Sequence, residues 1–147
     1  MTSTRLPHPP TTVRNERTSR TAAHRLRVVL MTNAVTSGIV GAVATVAPAA
    51  VDELLGTGEV GWIRLVGGIG FLVFGAAVYG LTRSTTATRA RYAPVVSLLD
   101  GSYVIGTLLT IAAGWYSGVG NVVMALSAVL VADFAITQLW FARRTDA

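Results

Sequence analysis

The chain has 147 residues, 52% hydrophobic and 13% charged, and its net charge of +5 rests on twelve arginines with no lysine. Soluble domains carry about 25% charged residues, so this composition argues against an ordinary water-soluble domain and for a membrane protein of one domain at most. The absence of cysteine excludes disulfides, thiol catalysis and Cys-ligated metals, and no folded basic module remains for nucleic acid once the apolar segments are set aside.

Residues 1–24 are polar, with Pro7, Pro9, Pro10, many threonines and four arginines. They show no apolar periodicity and are expected to form a disordered cytoplasmic tail. An Arg-rich tail beside a membrane orients the protein and meets anionic lipid. His8 and His24 lie in or beside it, with no second ligand spaced for a metal. Neither can be placed near an aspartate for Ser-His-Asp chemistry.

A four-helix transmembrane domain is expected over 25–147, because about 20 apolar residues cross the hydrocarbon core. The first span is 26–47. Ser37 with Gly41 and Gly38 with Ala42 are small residues four apart, a spacing that lets helices approach closely. The rival reading is a secretory signal with Ala47-Pro48-Ala49 as cleavage site, but the apolar run exceeds the usual 7–15 residues. Pro48 to Gly61 is a loop with a short amphipathic helix, started by Pro48, ended by Gly56 and lying at the interface.

The second span, 62–81, carries Gly67, Gly68, Gly70, Gly75 and Gly80. Gly68-Ile69-Gly70 lacks the third glycine and the preceding strand of a nucleotide-binding fingerprint, so close helix packing explains these glycines better. A polar loop over 82–93 is expected next, then a third span at 94–115, a tight turn at 116–120 and a fourth span at 121–141. Eleven arginines fall in the tail and first helix entry, the 82–93 loop and the C-terminus, leaving Arg64 alone at the other end, beside Glu59. The positive-inside rule then puts both termini in the cytoplasm. Trp62, Trp115 and Tyr116 mark the outer interface, and Tyr92 and Trp140 the inner one.

Threading these spans at about 1.5 Å per residue sets Asn33, Asp100 and Asp133 at one level, roughly 9–12 Å below the cytoplasmic surface of the hydrocarbon. Ser37, Tyr103 and Thr137 surround them, with Gln138 and Tyr79 nearer the surface. Asp100, Tyr103, Thr107 and Thr110 make one helical stripe, and Ala125, Ala128, Ala132 and Ala135 make a small-residue seam with Asp133 beside it. Polar stripes should face inward, because lipid does not tolerate them. Two carboxyls that met in this layer could share a proton; alternatively, Arg83 could snorkel toward Asp100. The candidate polar site is thus Asp133, Asp100, Asn33, Tyr103, Ser37 and Thr137, with no catalytic constellation, metal set or cofactor motif.

The stretch WIRLVGGIGFLVFGAAVYGLTRS, the Arg-bearing loop after it and a third helix opening VVSLLDGSYVIG resemble small four-helix bacterial membrane proteins of the broadly DoxX-like group, over roughly residues 26–144. Asn33 with Ser37-Gly38 at the start belongs to the same likeness. The resemblance implies an up-down bundle in the cell membrane of a bacterium and no particular reaction. The small multidrug exporters differ, since they carry a glutamate in the first helix, whereas this one has Asn33 and no acid.

The expected function is therefore that of a non-enzymatic integral membrane protein, a bundle or accessory subunit of a membrane complex. The alternative is a small dimeric transporter or proton-coupled carrier using the Asp100/Asp133 layer. A membrane enzyme or a quinone- or lipid-handling protein is the third reading. Expected partners are the bilayer, a second copy or another membrane protein.

Overall fold

Each long apolar stretch forms one helix, and among the described residues there is no strand. The computed structural model describes the backbone of residues 11–57 and 61–145 and the side chains of 19–57 and 65–145. The elements are α1 (Thr11–Val46), α2 (Pro48–Leu55), α3 (Gly61–Arg83), α4 (Thr86–Ala112) and α5 (Gly118–Thr145). Among the described residues, four segments are long and apolar enough to cross a membrane: Ser19–Val46, Leu65–Arg83, Thr86–Ala112 and Gly118–Thr145. The fold is all-α, as expected. The first ten residues, with His8 and the three prolines, lie outside the described residues, as does Glu59; so do the side chains of Trp62 and Arg64.

Two boundaries differ from expectation. Composition suggests a disordered tail to His24, yet α1 begins at Thr11. The physical reason is a narrow apolar stripe: Ala22, Leu26, Leu30 and Ala34 recur every fourth residue and are all buried. Ser19 Oγ also donates to the Thr145 carbonyl, 3.3 Å away, tying α1 to the end of α5. The expected 82–93 loop shrinks to Ser84 and Thr85, because α4 starts at Thr86 rather than Pro94. Thr85 caps it, its side chain accepting from the Thr88 N–H at 3.2 Å. Pro94 sits inside the helix and cannot donate to the Ala90 carbonyl, but Ala90, Ala93, Val96, Ser97 and Asp100 are buried along one face that crosses it.

Arg89 closes the same corner. Its Nη1 donates to the carbonyls of Thr82, at 3.2 Å, and Ser84, and its Nη2 donates to Thr86 Oγ1 at 3.1 Å. A guanidinium from α4 thus satisfies the orphan carbonyls at the end of α3. Arg89→Met keeps the apolar stem and removes the donors. It should cost about 1–2 kcal/mol, below the upper range for charged hydrogen bonds because the site is half-exposed; thermal unfolding in detergent measures this.

Helix α2 follows the expected pattern, with Pro48 in its first turn and Gly56 ending it at φ 65°. It lies against the start of α5, where the Ser117 N–H donates to the Leu55 carbonyl at 2.9 Å.

The long helices run alternately up and down. Gly41 of α1 meets Gly68 of α3 while Ala34 meets Gly75, and Tyr103 of α4 meets Ser127 of α5 while Asp100 meets Gln138. α1 packs along α3 and α5, and α5 along α4, whereas α3 and α4 touch only sparsely. The bundle therefore closes on three seams and stays open on the fourth. The apolar core of Leu26, Leu30, Ala34, Val78, Ala93, Val96 and Ala142 lies toward the end that carries the termini. At that end each long helix supplies a cation to an aromatic ring. Arg25 lies 6.0 Å from the Phe141 ring centre, Arg83 5.0 Å from Tyr79, Arg91 5.8 Å from Tyr92 and Arg144 3.7 Å from Trp140.

Candidate functional site

Three helices bring one chain of polar side chains to the bundle interior. Ser37 Oγ donates to Asn33 Oδ1 at 3.2 Å, both on α1. Asn33 Nδ2 donates to Asp100 Oδ2 of α4 at 2.8 Å, and Gln138 Nε2 of α5 donates to the same oxygen at 3.2 Å. Asp100 is 4% exposed and Gln138 fully buried. Buried polar groups need partners within the protein, and the carboxylate is the hub that two helices reach. Gln138 Oε1 is buried without a donor.

The open α3/α4 seam leads to this hub. A cavity of about 190 Å³ is lined by Gly67, Gly70, Phe71 and Phe74 of α3, Leu99, Asp100 and Tyr103 of α4, Ser37 and Val131. Both amide donors use Oδ2, so Oδ1 is the oxygen left to face a guest. Phe71 sets its edge against Tyr103 at 5.3 Å, and the Tyr103 hydroxyl pairs with Ser127 Oγ at 2.9 Å, which fixes that wall. A second hollow of about 250 Å³, lined by Phe74, Ala77, Val78, Leu81, Tyr92, Val95, Val96 and Leu99, shares Phe74 and Leu99 with the first. The two hollows are neighbours with largely apolar walls, and Asp100 lines the first.

The structure thus brings together Asp100, Asn33 and Ser37, with Tyr103 on the cleft wall. It leaves two expected members outside. Asp133 is exposed on the outer face of α5, and Thr137 donates back to the Asp133 carbonyl of its own helix at 2.7 Å. Asp100 and Asp133 therefore occupy different surfaces and form no shared carboxyl layer. Arg83 does not reach Asp100; its Nη2 bonds the Tyr79 hydroxyl one turn back on α3. Gln138 was expected nearer the surface, yet it is the third arm of the cluster. The signal was present: the Ala128/Ala135 seam, extended by three residues, lands on Gln138, not on Asp133.

Chemically, the cluster can accept a hydrogen bond, a cation or a proton at Oδ1. Among the described residues no His faces it: His24 is exposed on α1. Among the described residues no group of three His, Cys, Asp or Glu gathers to hold a metal. Compared with family models, with curated proteins and with solved structures, the chain matches none.

Proposed function

We propose that this chain is a multi-pass integral protein of the cell membrane, with both termini cytoplasmic, that works by binding rather than by catalysis. Its α3/α4 cleft takes an amphiphile: an apolar body along Phe71, Phe74 and Leu99, and a hydrogen-bond-donating head at Asp100. The observation that carries this reading is the open seam ending on a buried, half-satisfied carboxyl. Two neighbouring hollows of about 190 and 250 Å³ suit a slender small molecule and are too narrow for another helix.

Insertion is supported by the balance of burial. Only 17–28% of each apolar window is buried inside the bundle, and side chains such as Val66, Val73, Leu98 and Leu109 point outward. A water-soluble protein does not expose apolar patches of that extent. Orientation is supported by the collar of arginines stacked on aromatics at the terminal end, which suits a cytoplasmic headgroup layer. The DoxX-like resemblance agrees with this layout. The non-enzymatic accessory role is retained and acquires a ligand. The carrier alternative drew on a joint Asp100/Asp133 layer, and its support now falls to Asp100 alone.

Gly70 offers a clean test, since a Cβ there meets nothing within 4 Å while the residue lines the cavity. Gly70→Phe should fill the cleft without disturbing the helix packing. Native mass spectrometry of the wild type, extracted in mild detergent, should show a retained amphiphile. The variant should lose it with its unfolding temperature unchanged. A wild type free of any adduct, or a variant that keeps the same adduct, would sink the proposal.

A further inference from the structure

The polar groups that line the cavity at Asp100 share one property. Among the described residues these are Ser37, Asp100 and Tyr103, and both hydroxyl hydrogens are already spent. Ser37 Oγ donates to Asn33 Oδ1 at 3.2 Å. Ser127 Oγ donates to the Met124 carbonyl at 2.8 Å, so in the Tyr103–Ser127 pair the tyrosine is the donor. The amides of Asn33 and Gln138 each spend a hydrogen on Asp100 Oδ2. What remains for a guest is acceptors, Asp100 Oδ1 and the lone pairs of Ser37 Oγ. Gln138, bonded to the same carboxylate, adds a buried Oε1 with no donor.

That pattern sorts guests by their heads. A carboxylate, a phosphate or a bare carbonyl brings no donor and would meet acceptors only. A hydroxyl brings one donor and no charge. A primary ammonium brings three donors, as lysine does, together with the opposite charge. No Arg or His lines the cavity, and Arg83, at the end of α3, bonds Tyr79 instead. The lining therefore supplies no countercharge to Asp100, and a buried charge is costly without a partner. Phe71, Phe74 and Tyr103 form walls of the same cavity, and aromatic rings attract cations.

Resting on the amphiphile site described above, we propose that the head of its guest is a primary amine, bound as the ammonium ion with Asp100 as counter-ion. Asp100 Oδ1 and Ser37 Oγ accept from the nitrogen, and the alkyl body lies along Phe71, Phe74 and Leu99.

n-Octylamine and n-octanol share a chain and differ in the head, and the amine is an ammonium ion at pH 7, as a lysine side chain is. Binding of each radiolabelled probe is measured by equilibrium dialysis against the whole chain in a mild non-ionic detergent. Gly70→Phe, which should fill the cavity, reports uptake by micelle and outer surface, and that uptake is subtracted. The remaining affinity should be about tenfold higher for octylamine than for octanol, the gap between a charge-assisted and a neutral hydrogen bond. Asp100→Asn should abolish the gap. Octanol bound as tightly as octylamine by the wild type overturns the ammonium inference and leaves the amphiphile site standing. If neither probe distinguishes wild type from Gly70→Phe, both fall. An amine preference that survives Asp100→Asn, in a variant with the wild-type far-UV circular dichroism spectrum, overturns Asp100 as the counter-ion. The comparison of amine with alcohol on the wild type decides the head group even where Asp100→Asn does not fold.

Discussion

Asp100→Leu should lower the stability of the detergent-solubilised protein by about 2–3 kcal/mol, seen as a fall in unfolding temperature of roughly 5–10 °C. The substitution removes the acceptor for both Asn33 Nδ2 and Gln138 Nε2. Gln138 already has no donor for Oε1, so its whole amide would then sit fully buried without a bond. Each buried unsatisfied group costs about 1–3 kcal/mol. Hydrogen bonds between membrane helices average nearer 0.6 kcal/mol, because the unfolded chain in lipid also finds partners. The expectation therefore sits below the sum of the upper values. Adding Gln138→Leu should recover part of the loss, since replacing both partners by apolar groups can be nearly neutral. If Asp100→Leu unfolds at the wild-type temperature, the cluster is not what holds α1, α4 and α5 in register.

Gly41→Val should be at least as damaging, by about 3 kcal/mol or through loss of the folded protein at expression. A Cβ at Gly41 would lie 2.7 Å from both Gly68 O and Leu72 N, which are backbone atoms and cannot swing aside. The opposing side meets the same limit at Gly75, where a Cβ would come within 2.9 Å of Ala34 O. α1 and α3 are therefore in contact main chain to main chain, the approach that small residues permit between membrane helices. Overpacking ordinarily costs about 1–3 kcal/mol, and immovable neighbours place this case at the top of that range. Gly38→Ala is the control. No atom lies within 4 Å of its Cβ, and alanine gains about 0.5–1 kcal/mol of helix propensity over glycine. Unfolding curves of the two variants should move in opposite directions.

These contrasts show what periodicity can and cannot reveal. The four apolar segments were legible because span length is a property of the chain alone. The start of α1 was not, because Ala22 and Leu26 are two apolar residues among arginines, and their value depends on the helices they meet. Pro94 looks like a boundary by its missing N–H, but the inward face on both sides of it outweighs one lost hydrogen bond. Asp133 drew attention as a carboxylate in an apolar run, whereas the amide of Gln138, five residues on, completes the cluster. Residue type marks cost; only the angle around the helix decides which surface bears it. The open seam was also hidden. Gly68 and Gly75 serve helix packing, as expected, while Gly67 and Gly70 of the same helix line a cleft. Spacing alone does not separate those two uses.

The position of Gln138 in the last helix also sets an order of events as the chain is made. Synthesis proceeds from the N-terminus, so Asn33 and Asp100 are both present before any residue of α5. For that interval the carboxylate has one amide donor, not two, and the nascent α4 lacks the helix along which it packs most closely. A polypeptide arrested before Gln138 would carry an incompletely hydrogen-bonded aspartate in an unclosed bundle. Completion of α5 is the step that ends that state.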